Sequence, residues 1–319
     1  VNIVARVHLY RPDHCAGAEM MLHELLKALV QRGHHCEVHL SRFSETCSPY
    51  VLDGVAVFPK GTADWQDAAD KADVLFTHLD NTSTVISAAL FYGKPLVQVL
   101  HNTHPATRMW ASCRNDLLVY NSDWMRVDLG CDPNGVVVRP PVFVDDYEVD
   151  ALERGRYITL INTCQAKGGV RFSQLAATMP DRRFLGVLGA YNEQLDPQMP
   201  NVEIRAHGQP MRQVYADTKL LLMPSTYESY GRVGVEAACA GIPVIATGTP
   251  GIREALGPAG TYLPANAGLG LWQRAIKDIL GSPDYYETLS SLARAQAERL
   301  QEKTCNELNA FCKRVEALL

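Results

Sequence analysis

Between Leu220 and Leu256 the chain reads LLLMPSTYESYGRVGVEAACAGIPVIATGTPGIREAL, and no other stretch limits the fold as tightly. The apolar run Leu220 to Met223 has the length and bounds of a buried parallel strand, which Pro224 and Ser225 stop. The pattern then changes to Val233, Val235, Ala237, Ala238 and Ala240, a helix of small residues that can lie close on a sheet. Gly241-Ile242-Pro243 ends that helix and opens a second strand, Val244 to Ala246. A strand-helix-strand unit of this kind builds doubly wound sheets.

Two carboxylates bracket the start of the helix: Glu228 in the turn before it and Glu236 in its early turns, with Ser229, Tyr230, Gly231, Arg232 and Val233 between them. The first amides of a helix have no partner inside it, and the aligned peptide dipoles place roughly half a positive charge there. An anion such as a diphosphate is therefore favoured at residues 230–233, where Gly231 lets the backbone come close and Arg232 adds a full charge. Glu236 is placed to accept from the vicinal hydroxyls of a ribose. Diphosphate, ribose and a further carboxylate for a sugar hydroxyl together describe a sugar nucleotide.

Pro-Ser-x-x-Glu-Ser-Tyr-Gly from Pro224, the second acid Glu236, Ala-Gly-Ile-Pro-Val from Ala240 and Pro-Gly-Ile-Arg-Glu from Pro250 follow one another in fixed order. In that order they resemble the signature of glycosyltransferase family 4, with its Glu-x7-Glu motif. The resemblance implies the GT-B fold: two Rossmann-like α/β domains, doubly wound, that face each other across a cleft. It also implies transfer of a sugar from a nucleoside diphosphate with the anomeric configuration retained, no metal and no cofactor. On this reading Glu228 orients sugar hydroxyls during catalysis.

At 319 residues, and at roughly 150 residues per domain, two domains are expected. A net charge of -5 and a pI near 6.1 supply no overall basic footprint for nucleic acid or an anionic membrane. No apolar run approaches the roughly 18 residues a membrane span needs, and residues 1–9 read as a first strand with no basic segment before them. The nine cysteines occur singly, so reduced thiols and a cytoplasmic protein are expected, peripheral to the membrane at most, with no metal site of recognisable ligand spacing.

Alternating strand and helix patterns define an N-terminal, acceptor-side domain over 1–142 and a C-terminal, donor-binding domain over 157–303. Residues 143–156 are polar and aperiodic after Pro140-Pro141 and read as a linker. Leu308, Phe311, Val315 and Leu318 recur at helical spacing; the resemblance implies that this last helix, about 304–319, returns to the first domain.

The resemblance also marks residues in four loops. Gly17, in the first strand-to-helix turn, corresponds to a glycine whose backbone approaches the diphosphate and the acceptor, although Ala16 stands where a second glycine is usual. His101, at the end of the strand Leu96 to Leu100, matches a histidine that faces the donor sugar, and His78 ends the preceding strand. Lys167, before Gly168-Gly169 at a helix start, grips the diphosphate. Asn162-Thr163 occupies the place of a second cation, a charge that Arg232 is expected to supply.

The acceptor stays open between a glycoside, a lipid-linked sugar and a modified DNA base. Arg6, Arg11, Arg108, Arg114 and Arg126 would form the basic patch that the last of these needs. The other readings are a sugar-nucleotide-binding protein without transfer and a hydrolysing epimerase. Oligomeric state is undetermined.

Overall fold

The computed structural model describes residues 1–113, 115–149, 155–190, 193–208 and 210–319. The chain divides into two compact units, Val1–Pro141 with Thr304–Leu319, and Val142–Lys303.

The first unit runs β1 (Asn2–Val7), α1 (Gly17–Gln31), β2 (His35–Leu40), β3 (Tyr50–Leu52), β4 (Val55–Phe58), α2 (Trp65–Lys71), β5 (Val74–His78), α3 (Thr82–Tyr92), β6 (Leu96–Leu100), α4 (Pro105–Ala111), β7 (Leu117–Tyr120), α5 (Asp123–Asp128) and β8 (Val136–Val137). Its eight strands lie in the order β3-β4-β2-β1-β5-β6-β7-β8, parallel except for β3 against β4. β5, β6 and β7 are buried along their whole length, as strands covered on both faces must be. The β3-β4 hairpin turns at Asp53-Gly54, both at positive φ (50° and 83°), and Asp-Gly is the residue pair such a two-residue turn favours. The Asp53 carboxylate is also held by His23 Nε2 at 2.8 Å.

The second unit contains α6 (Val144–Tyr147), β9 (Tyr157–Ile161), α7 (Gly169–Thr178), β10 (Arg183–Val187), β11 (Val202–Arg205), α8 (Met211–Asp217), β12 (Thr218–Met223), α9 (Arg232–Cys239), β13 (Val244–Thr247), α10 (Pro250–Leu256), β14 (Gly260–Leu263), α11 (Leu269–Gly281) and most of α12 (Pro283–Glu316). Its six parallel strands have the order β11-β10-β9-β12-β13-β14. From β9 the chain winds one way through β10 and β11, and from β12 the other way through β13 and β14. The loops leaving the carboxyl ends of β9 and β12 therefore diverge, and such a switch point is where open α/β sheets bind ligands. The first sheet has its own switch between β1 and β5.

The organising helix packs as its small residues require. A Cβ at Gly234 would stand 3.0 Å from Met223 Sδ and 3.3 Å from Leu256, so α9 approaches β12 and α10 closely enough that any larger residue would require those side chains to shift.

Two expectations are corrected. Residues 143–149 are not a polar linker: Val142, Tyr147 and Val149 are buried in the core of the second unit, because apolar residues interleave the acidic ones at positions that a periodicity scan over so short a stretch does not register. Residues 150–154, the rest of that stretch, lie outside the described residues. The arginines expected to form a basic patch are not all available for one. Arg6 stacks on Trp65 at 4.8 Å, and Arg108 pairs with Asp128; Arg114 lies outside the described residues.

Residues 304–319 belong to the first unit. Phe311, Cys312 and Val315 are buried in its core, Phe311 edge-on to Phe76 at 6.2 Å between ring centroids. Glu316 accepts from Arg32 Nε at 2.7 Å, and Glu307 accepts from the backbone N–H of Arg139 at 2.9 Å. Among the described residues no helix is long and apolar enough to cross a membrane, and all nine cysteines are free thiols.

Candidate active site

Two loops meet at the switch point of the second sheet. After β9 the chain passes through a short 3-10 helix, Gln165–Lys167, and enters α7 at Gly168-Gly169. After β12 it passes Pro224, Ser225 and Glu228 and enters α9 at Gly231. The Thr226 N–H donates to Ala166 O at 3.1 Å. Gly168 lies at φ 93°, where a Cβ would come within 2.3 Å of Pro224; Gly169 lies so close to Thr163 that a Cβ would stand 1.9 Å from its carbonyl oxygen. Gly168 thus serves the joining of the two loops, and Gly169 the tight turn of the first.

That joining brings Lys167 Nζ to 2.6 Å from Glu228 Oε1, which also accepts from Ser225 Oγ at 2.8 Å. The Lys167 side chain keeps 34% of its exposure, whereas that of Glu228 keeps 11%. The cation is therefore the accessible member of the pair. Ser225 was not singled out from sequence; its place directly after a strand-ending proline was the available signal.

Gly231 precedes the first turn of α9, no side chain caps that helix start, and the Gly234 N–H donates to Gly231 O at 2.9 Å; the helix dipole places partial positive charge there. Ser229 is half-buried, while the Tyr230 side chain is buried in the core beside Ile252, Val235 and Met223. Tyr230 can serve the site through its backbone only. Val233 packs on the same core, and its carbonyl accepts from Tyr215 Oη at 3.3 Å. A Cβ at Gly251 would lie 2.4 Å from Glu228 O, so α10 buttresses the Glu228-Ser229 turn from behind.

Glu236 is 6% exposed and accepts from three donors. Oε1 accepts from Arg232 Nε at 2.7 Å and from Tyr147 Oη at 3.3 Å; Oε2 accepts from Tyr215 Oη at 2.8 Å. Arg232 Nη2 also donates to Tyr147 Oη at 3.1 Å. Burial pushes the Tyr147 phenol up to about 12 and Tyr215 well above its ordinary value, each reinforced by the Glu236 carboxylate, so both remain donors.

Arg232 also answers a demand inside α9. Its guanidinium serves the buried acid one turn along the helix, because a carboxylate withdrawn from water needs a counter-charge. Asn162, at the place of the second cation, sits at φ 69°, where asparagine is among the few tolerated side chains. Its Oδ1 accepts from the Cys164 N–H at 3.2 Å and from Gln194 Nε2 at 3.1 Å.

In the first unit, Gly17 opens α1 at an exposed position where a Cβ would meet nothing within 4 Å. The fold itself does not demand glycine there. His101 follows β6, half-buried, with its Nε2 3.0 Å from His78 Nδ1, one nitrogen donating and the other accepting. Burial, then the nearby His8, pushes His101 down to about 3, and burial likewise holds His78 well below its ordinary value. Both imidazoles are neutral near pH 7.

Residues 174–281 match the family model described as "Glycosyl transferases group 1". Over 88 residues the chain is 34% identical to a D-inositol 3-phosphate glycosyltransferase of Gordonia bronchialis; the match covers 27% of this chain and 19% of that relative's length. Among solved structures, a sucrose-phosphate synthase from Thermosynechococcus elongatus superposes with a TM-score of 0.80 at 14% identity, covering 99% of this chain and 98% of the other. HepE of Anabaena, in complex with UDP-glucose, superposes at 0.77 and 17% identity, covering 97% and 99%. The chain therefore has the GT-B fold, two Rossmann-like α/β units, with a group 1 glycosyl transferase match inside the second unit.

Proposed function

We propose that the protein is a glycosyltransferase that moves a sugar from a nucleoside-diphosphate sugar to a hydroxyl acceptor, with retention of configuration and without a metal ion in the transfer step. The reading is carried by one observation: Lys167 and the uncapped start of α9 stand together at the switch point of the second sheet.

The leaving group is a nucleoside diphosphate, so the departing charge falls on phosphate oxygens. Lys167 and the leading amides of α9 stabilise that charge in the transition state. Glu228 holds the lysine in place and offers its carboxylate to hydroxyls of the transferred sugar. Glu236 orients the ribose from inside α9, its geometry locked by Arg232, Tyr147 and Tyr215. In the first unit, neutral His101 donates or accepts a hydrogen bond to a sugar hydroxyl without adding charge. The acceptor hydroxyl attacks from the face the leaving group departs, and its proton passes to a phosphate oxygen. That the HepE structure carries UDP-glucose makes UDP-sugars the first donors to try.

A panel of UDP-, GDP- and ADP-sugars, read by thermal shift and then by mass spectrometry of products formed in a cell extract, tests the reading. Appearance of an acceptor enlarged by one sugar is the expected result. Free sugar alone would make the protein a hydrolase, and a shift without turnover would make it a binding module.

A further inference from the structure

The loop after β1 brings two imidazoles and a carboxylate together inside the first unit. His8 directly follows β1, His14 lies in the loop, Glu19 stands in the first turn of α1, and all three are buried. A nitrogen of each imidazole and an oxygen of the carboxylate lie within 4.8 Å of one another. We propose that His8, His14 and Glu19 bind a divalent cation of the borderline class, Zn2+ first among them, and so tie the loop to α1. The proposal does not depend on the sugar-transfer reading, although His78 links the edge of this cluster to His101.

The spacing suits a metal as well as the ion pair that His8 and Glu19 make. In a tetrahedral centre with bonds of about 2.0–2.1 Å, ligand atoms sit roughly 3.3 Å apart. His8 Nε2 and Glu19 Oε1 are 3.4 Å apart, longer than an ordinary N–H···O bond and close to that ligand spacing. Bringing the widest separation in from its 4.8 Å limit requires a movement of roughly 1.5 Å, which rotation of the His14 side chain can supply. Two imidazoles and one carboxylate suit Zn2+, whereas Ca2+ and Mg2+ take all-oxygen shells.

The surroundings agree. The His78 ring lies 6.0 Å from that of His8, and its buried Nε2 has no hydrogen-bond partner among the described residues. Three protein ligands leave a fourth position for water, a group able to partner that nitrogen.

Chelator-treated full-length protein is titrated with Zn2+ alone, with bound metal counted by elemental analysis and Tm recorded. The expected result is one ion per chain and a raised Tm, both lost in His14→Ala and in Glu19→Gln. Both are retained in His35→Ala, which removes the surface contact of His35 with Glu37. No stoichiometric uptake by the wild type, or uptake that survives both site substitutions, overturns the proposal. Should a variant fail to fold, Co2+ bound to the wild type decides: ligand-field bands of a nitrogen and oxygen shell support the site, and thiolate charge-transfer bands, which would place the ion on cysteines, overturn it.

Discussion

Lys167 Nζ and Glu228 Oε1 stand 2.6 Å apart although 61 positions separate them in the chain. Each ends up there because its loop leaves the carboxyl end of one of two adjacent strands, β9 and β12, from which the chain winds in opposite directions. The pair is the point where the sheet topology becomes chemistry.

Lys167→Ala is expected to weaken donor binding by roughly ten- to a hundredfold, about 1.4–2.7 kcal/mol. Glu228→Gln, which keeps a hydrogen-bond acceptor beside the lysine, is expected to leave donor affinity within a few fold and lower kcat. Titration calorimetry with the nucleoside diphosphate, alongside kcat measured with the intact donor, separates the two. Equal effects of both variants on binding would remove Glu228 from the catalytic step.

Arg232→Met leaves Glu236 buried without its cation, and breaking a buried pair costs about 3–5 kcal/mol. The double variant Arg232→Met with Glu236→Leu removes both charges and is expected to recover most of that loss. Thermal denaturation of the two variants checks this. If the single variant is as stable as wild type, the guanidinium is not the counter-charge of Glu236.

Gly168→Ala combines a left-handed backbone with a Cβ 2.3 Å from Pro224. Backbone strain alone costs about 1–3 kcal/mol, and the clash pushes apart the loops that carry Lys167 and Glu228. A lower Tm together with weaker donor binding is expected. Gly17→Ala, at an open position, is expected to leave Tm unchanged, so that any loss of activity it causes reports on ligand approach.

His101 is pushed down to about 3 from an ordinary 6.5. The unfolded chain therefore binds a proton there below pH 6.5 that the folded protein refuses until about pH 3. Stability attributable to this residue is complete above 6.5 and declines as the pH falls through that window. Tm is expected to drop between pH 6.5 and 5, and to drop less in His101→Gln. In the same range His101 stays neutral in the native protein and contributes no inflection to kcat/KM, which a pH-rate profile measures.

Local pattern carried much of the fold. The strand at Leu220 to Met223 and the small-residue helix after it were readable because burial on two faces demands an unbroken apolar run, and close packing demands glycine and alanine. The β3-β4 hairpin was missed even though Asp53-Gly54 is its signal, because a three-residue strand is too short to show alternation. Tyr147 was missed for a related reason: four helical residues in an acidic stretch carry no period.

What the sequence determined alone was the kind of element most segments form, the presence of two doubly wound domains, and the helix start at Gly231 where an anion is favoured. Only tertiary structure decided which charges meet: Lys167 with Glu228, Arg232 with Glu236 and Tyr147, His78 with His101, and Glu19 beside His8 and His14. The reason is one of range. Periodicity and capping act over a few residues and are written in neighbouring letters, whereas the partner of a buried charge is set by strand order, which brings together residues far apart in the chain, 89 positions for Glu236 and Tyr147.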